Sequence, residues 1–179
     1  SLYEVLVDLL KESAAEGHLL DAGCGTGLLG ELVRPLCKNM TGIDLSKEML
    51  AKARKRRTSK GAPLYDHLLE GDLRAHLLHQ KTPVYHAIVA ANVAPLLGGL
   101  TPMVDGAARA LHVGGWLIFT ALSFEGTEGY QLLAEERRFA HSEFYLRQIA
   151  QKAGLRWHSL TRKPLYEDRT AWVVVLQKT

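Results

Sequence analysis

The stretch from Asp21 to Gly27, "DAGCGTG", sets three glycines at alternate positions behind a carboxylate. Two further carboxylates, Asp44 and Asp72, follow at similar sequence intervals. Glycines let a backbone turn sharply and approach a ligand closely. Carboxylates accept hydrogen bonds from hydroxyl and amino groups. Together they describe a cofactor cradle. Gly23, Gly25 and Gly27 read as G-x-G-x-G, the spacing of a methyl-donor site, while Gly25, Gly27 and Gly30 read as G-x-G-x-x-G, the dinucleotide fingerprint.

The elements that position these residues separate the two readings. The apolar run "HLLDA" leads straight into Gly23, whereas the dinucleotide phase would leave Gly23 inside the strand end, where a glycine weakens pairing. A dinucleotide also brings its pyrophosphate to the helix start, and Asp21 beside that anion would oppose it. S-adenosylmethionine has no phosphate and carries cationic sulfonium and ammonium groups, which Asp21 favours. Asp44, at the end of "MTGID", suits ribose hydroxyls in either cofactor. Asp72, in "EGD", can accept from an adenine amino group. Gly30 then becomes a small residue inside the following helix, allowing close packing.

The rest of the chain reads as alternating strands and helices. Leu2, Val5, Leu6, Leu9 and Leu10 have helical spacing, giving an amphipathic helix over residues 1–17. "GLLGELVRPLC" is helical with Pro35 distorting its end. Ser46 caps "SKEMLAKARKRR". "PLYDHLLEGD" is a third strand, residues 73–78 a short helix, and "VYHAIVAANVA" a fourth strand. "PMVDGAARALHVGG" is a helix with a Gly-Gly stop, and "WLIFTALS" is the fifth strand. Ser142 caps a helix that Gly154 stops. "LRWHSLT" and "TAWVVVLQ" are joined by the polar connection "RKPLYED", too short for a crossover, so they pair antiparallel. Alternation of this kind predicts an α/β fold with a parallel sheet, in one domain over 1–179.

On these segments the chain resembles the class I S-adenosylmethionine-dependent methyltransferases. "LLDAGCGTG" is similar to that family's first motif, "GIDLSKEML" to the second-strand motif, "LEGDL" to the third, "AIVAANVAPLL" to the fourth and "ALHVGGWLIFT" to the helix and strand after it. The resemblance implies a Rossmann-like, seven-stranded sheet of order 3-2-1-4-5-7-6, strand 7 antiparallel, with helices on both faces. It implies S-adenosylmethionine held by the backbone of Gly23, Gly25 and Gly27, with Asp21 near the methionine end. Asp44 takes the ribose, with Leu45 beside it. Asp72 and the backbone of Leu73 take the adenine, and Asn92 faces the amino group. Asn92 stands where an aspartate is common, and His86 where an acid often begins the fourth strand. "NVAP" lacks the second proline and the aromatic residue of the Asn-Pro-Pro-aromatic motif, which argues against an exocyclic-amine or glutamine acceptor. "RFAHSEFYLRQIAQKAGL" is similar to part of small methyltransferases that accompany tetratricopeptide repeats.

Methyl transfer relies on alignment, and needs a base only if the acceptor sheds a proton. The segment 123–145 leaves the fifth strand at the ligand edge and is expected to face the acceptor; it holds Glu125, Glu128, Tyr130, His141 and Tyr145. His141 is a candidate base by type, or only the residue before a helix cap. Tyr145, four residues on, shares its face or packs. The acceptor is read as a small molecule. The alternatives are a protein or RNA acceptor engaged through the basic helix 52–60, and a non-catalytic subunit of a larger assembly. That run is otherwise a solvated helix end.

The chain's 179 residues are 47% hydrophobic and 23% charged, with net charge +3, which is ordinary for a globular domain. No apolar run reaches the roughly 20 residues that span a bilayer, so no membrane role is expected. Two cysteines and scattered histidines give no disulfide framework and no metal site. A reducing compartment follows, the cytoplasm or one such as the mitochondrial matrix. The start carries Glu4 and Asp8 and is no signal peptide. Beginning at Ser1, it fits an excised or processed piece of a longer protein.

Overall fold

A computed structural model describes residues 2–13, 17–127, 129–166 and 169–179. Glu128, the last residues expected in the first helix, and part of the "RKPLYED" connection lie outside them, as does the side chain of Leu2. The elements are α1 (Leu2–Ser13), β1 (His18–Ala22), α2 (Leu28–Val33), β2 (Asn39–Asp44), α3 (Lys47–Lys55), β3 (His67–Glu70), α4 (Leu73–Leu78), β4 (Tyr85–Ala90), α5 (Thr101–Ala110), β5 (Leu111–Ser123), β6 (Tyr130–Leu133), β7 (Arg138–His141), α6 (Glu143–Lys152), β8 (Leu155–Tyr166) and β9 (Arg169–Lys178).

Strands β3, β2, β1, β4 and β5 lie side by side and parallel. Register brings Asp21 opposite Gly42 and Asp44 opposite Glu70, so the carboxylate-bearing strand ends share one edge of the sheet. Beyond β5, β9 pairs antiparallel with it and β8 pairs antiparallel with β9. The seven expected strands therefore stand in the expected order.

Alternating side chains divide the core into two layers. Leu20, Ile88, Leu117 and Val174 pack with Leu77 of α4, Met103 and Val104 of α5, and Leu146 and Ile149 of α6. Leu19, Val89, Ile118 and Val173 face Leu6 and Leu10 of α1, Leu29 and Val33 of α2, and Leu50 of α3. Each such fully buried leucine contributes about 1.5–3 kcal/mol of transfer free energy.

Several expectations are corrected. The segment 123–145 is not loop-rich: β6 and β7 form an antiparallel hairpin, and β7 adds parallel to the end of β5 at Ala140 and His141, so the sheet has nine strands among the described residues. The Gly-Gly pair does not stop α5, which ends at Ala110; residues 111–115 already belong to β5, where Gly114 takes φ +82 and the register with β4 shifts. Strand β3 begins only at His67, and Leu64 and Tyr65 are buried ahead of it. Most of the "RKPLYED" connection lengthens β8. The basic helix 52–60 ends at Lys55: Arg56 is extended, and Arg57 bridges to Pro63 around the turn that follows. Pro35 acts as expected, with a 3-10 turn over Arg34–Leu36 closing α2.

Candidate active site

The carboxyl ends of β1 to β4 open onto a cavity of about 590 Å³. Such crevices outside the strand ends are where open α/β sheets bind ligands, and the volume suits a cofactor with a small second molecule. Its wall includes Asp21, Gly23, Gly25, Asp44, Leu45, Asp72, Leu73 and Asn92. Gly27 is the one expected cofactor residue that stays out of the wall. It begins α2, its N–H donates to the Cys24 carbonyl at 2.9 Å, and its Cα faces Arg56 and Tyr65.

The glycine turn is built on conformations that L side chains resist. Gly23, Gly25 and Gly27 take φ of +73, +54 and +84. Gly23 and Cys24 both donate to the Ile43 carbonyl, which ties the turn to β2. A Cβ on Gly23 would lie 2.3 Å from Val93, whereas one on Gly25 would meet nothing within 4 Å. Gly25 thus presents open backbone to the cavity.

The three carboxylates are held in three ways. Asp44 accepts from the Gly25 N–H through Oδ2 and from the Ser46 N–H through Oδ1, both at 2.8 Å. Each oxygen keeps a second lone pair for a ligand hydroxyl. Asp72 caps α4 and accepts the Arg74 guanidinium as well as its N–H, and these side-chain bonds hold its carboxyl below the usual range. Asp21 is 2% exposed, and its Oδ2 accepts the Tyr65 hydroxyl at 2.7 Å. Burial pushes its pKa up to about 6, and the nearby Asp44 charge adds to this, while the Tyr65 and Gly30 hydrogen bonds oppose it. Gly30 makes that pairing possible, because a Cβ there would sit 2.1 Å from the Tyr65 hydroxyl.

Asn92 closes the wall past β4 with φ +58, a conformation asparagine tolerates, and its N–H donates to the Thr120 hydroxyl at 2.8 Å. Leu45, 71% exposed, offers an apolar face at the rim. Sequence reasoning missed Tyr65, Thr120 and Arg74. Their partners sit on other elements or are set by side-chain geometry, and no local spacing announces them.

The candidate base and its neighbour lie elsewhere. His141 is fully buried in β7. Its Nε2–H donates to the Gly98 carbonyl at 2.9 Å, which leaves Nδ1 as the one buried side-chain nitrogen or oxygen without a partner among the described residues. Burial holds its pKa below the ordinary value, against the pull of the Gly98 and Leu97 carbonyls. Tyr145 accepts the Leu100 N–H at 2.7 Å. Neither residue lines the cavity, and neither does any other described residue of 123–145. The hairpin instead backs the stretch from Gly98 to Leu100, with Tyr130 and Phe139 against Gly98.

Lys52, Arg54, Lys55, Arg57 and Lys60 of the basic run are exposed, and only Arg56 is drawn into the site's support. Arg56 donates to the Thr26 carbonyl at 2.6 Å and pairs with Glu31 at 2.6 Å, bracing the glycine turn from outside. Helix α3 starts beside Asp44, and Met49 from its first turns stands in the cavity wall. Cys24 and Cys37 are free thiols; burial raises both, Cys37 to about 11. No cluster of metal-ligating side chains occurs among the described residues, and no described helix is long and apolar enough to cross a membrane.

A family model described as "Methyltransferase domain" matches residues 19–115, more than half of the chain. The chain is 28% identical over 112 residues to a ubiquinone biosynthesis O-methyltransferase of Hydrogenovibrio crunogenus, covering 63% of this chain and 45% of that protein. It is 46% identical over 56 residues to a malonyl-[acyl-carrier protein] O-methyltransferase of Pectobacterium atrosepticum, covering 31% of this chain and 20% of that protein. It thus spans less than half the length of these relatives. In fold it is similar to the N-methyltransferase NodS of Bradyrhizobium japonicum in complex with S-adenosyl-L-homocysteine, with TM-score 0.75 and 21% identity over 98% of this chain and 85% of that one.

Proposed function

The chain belongs to the methyltransferase-domain family, a class I fold whose members use S-adenosylmethionine, and on that premise we propose that it transfers a methyl group from S-adenosylmethionine to a small-molecule acceptor. One observation carries this reading. Three glycines at positive φ form a turn that puts Gly23 and Gly25 in the wall of one cavity with three carboxylates, Asp21, Asp44 and Asp72. The cofactor fits what is there. Gly25 offers a cradle that a Cβ would fill, and Asp21 is a buried carboxylate bonded to a neutral phenol, matched to a cationic ligand.

In this reading Gly23 and Gly25 line the methionine portion with backbone, and Asp21 faces its positive charge. Asp44 accepts the ribose hydroxyls with its remaining lone pairs. Leu45 packs over the nucleoside, and Asp72 with the Leu73 backbone meets the adenine. Asn92 offers its amide oxygen to the ammonium. The bound cofactor supplies a methyl group on a sulfonium. The chain's own residues orient it and exclude water, and alignment supplies much of the acceleration. The whole chain, 1–179, acts as one domain. The curated relatives are named as O-methyltransferases, which supports an oxygen acceptor here. A protein or RNA acceptor reached through the basic run is the second reading: Lys52, Arg54, Lys55, Arg57 and Lys60 are exposed there, while Arg56 is engaged by the glycine turn.

Titrating S-adenosylhomocysteine into wild type and Asp44→Ala tests the reading. Binding should weaken by more than about tenfold, or 1.4 kcal/mol, in the variant. Equal affinities would show that the ribose lies elsewhere.

A further inference from the structure

We propose that the acceptor is a carboxylate carried on an apolar body, methylated on oxygen without a protein base. This deepens the reading of the cavity as a methyl-donor site and rests on it.

Two sets of residues make up the cavity wall. Strand ends and the glycine turn form one. The other is Tyr3 of α1, Leu28 and Leu29 of α2, and Val93, Leu96 and Leu97 beyond β4. These six side chains include no imidazole, ammonium, guanidinium or carboxylate. Tyr3 contributes a phenol, and the rest are hydrocarbon. Leu28 and Leu96 are more than half exposed, at 54% and 57%, so the rim itself is apolar.

In the proposed reading the charged groups of the wall face the cofactor or one another. Asp44 is held by the Gly25 and Ser46 amides, Asp72 pairs with Arg74 at the start of α4, and Asp21 lies buried with its Oδ2 on the Tyr65 hydroxyl. His141, the base that residue type would nominate, directs Nε2–H to the Gly98 carbonyl and stays out of the wall.

Three acceptor classes are disfavoured by such a lining. An alcohol or protonated amine must lose a proton, and no group is there to take it. A cationic acceptor finds no counter-charge and meets the sulfonium. A polyanion finds no unpaired basic side chain, since Arg74, the one cation among the described residues of the wall, is paired with Asp72. An acceptor ionised before it arrives needs none of these. A carboxylate is attracted to the sulfonium, the more strongly because the surroundings are apolar. Apolar side chains then bury the rest of the molecule.

The step balances without a proton. A lone pair of the carboxylate oxygen forms the O–CH3 bond, and the C–S bond breaks with its electron pair passing to sulfur. One anion and one cation become a methyl ester and a neutral thioether.

Decanoate, 1-decanol and decylamine, titrated into protein saturated with either sinefungin or S-adenosylhomocysteine, test this. Sinefungin places an amine where the sulfonium charge would be, and S-adenosylhomocysteine is neutral at sulfur. Decanoate should bind at least about tenfold tighter to the sinefungin complex, as a charge pair in an apolar site requires. Decanol should bind both alike, and decylamine should bind the sinefungin complex more weakly. With S-adenosylmethionine, methyl decanoate should form and the other two probes should stay unmodified. Decanoate binding that ignores the charge at sulfur would overturn the proposal, as would faster methylation of decanol or decylamine. Failure of both nucleosides to bind would remove the methyl-donor reading itself, and this proposal with it.

Discussion

Replacing Asp21 by asparagine should make the ligand-free protein less sensitive to alkali. Asp21 is buried beneath the glycine turn, and its pKa is raised from 3.8 to about 6. A raised pKa means that the folded state binds more protons than the unfolded state between those values. The stability contributed by the protonated form is therefore complete below pH about 4 and is lost as pH rises through about 6. At 1.36 kcal/mol per pH unit, holding the carboxylate ionised at neutral pH costs about 3 kcal/mol. An asparagine at this position cannot titrate, and its amide is close in shape and still able to bond the Tyr65 hydroxyl. Urea unfolding of both proteins from pH 4 to 7 reads the effect. The variant's stability relative to wild type should rise by about 3 kcal/mol across that range. For a chain of this size this corresponds to roughly 6 to 12 °C in Tm. Cofactor affinity should fall in the same variant, because in the proposed reading the lost charge faces the ligand's cation. A stability difference that stays constant with pH would refute a buried Asp21 whose proton affinity rises on folding.

Other outcomes follow from neighbouring geometry. Gly25→Ala should fold, at a cost of about 1–2 kcal/mol for a side chain at positive φ, yet lose the thermal shift that S-adenosylhomocysteine gives wild type, since its Cβ would enter the cradle. Tyr65→Phe should destabilise by about 1–3 kcal/mol in chemical unfolding, because it strips a donor from a buried carboxylate; no change would mean that Asp21 has another partner. His141 has a pKa below its unfolded value, so its contribution is intact above pH about 6.5 and is lost as pH falls below that. His141→Gln, which keeps a donor for the Gly98 carbonyl, should remove this acid-side slope and leave S-adenosylhomocysteine affinity unchanged, as calorimetry can show.

The part of the cavity wall at the strand ends was legible because such ends announce themselves. "HLLDA" and "MTGID" are short apolar runs closed by an acid, and turn chemistry fixes where each stops. Ser46 and Ser142 cap their helices as their types imply, accepting from the Met49 and Tyr145 amides. The helix–strand boundary at Ala110 was not legible, because "ALHV" is apolar enough for either element and the register shift beside Gly114 is a tertiary event. The β6–β7 hairpin has no Asn-Gly or Asp-Gly turn. It closes through Ala134–Arg137, where Arg137 takes φ +52 without a glycine. His141 looked available for catalysis because sequence shows residue type and not burial. The contacts that remove it from the cavity come from Tyr130, across the hairpin, and from Gly98 and Trp172, both distant in the chain.

Calorimetric titration of S-adenosylmethionine and S-adenosylhomocysteine into the wild-type chain tests the central claim most directly. Saturable binding of one molecule per chain is expected, and Gly25→Ala should abolish it. Absence of heat for either ligand at millimolar concentration would contradict the claim.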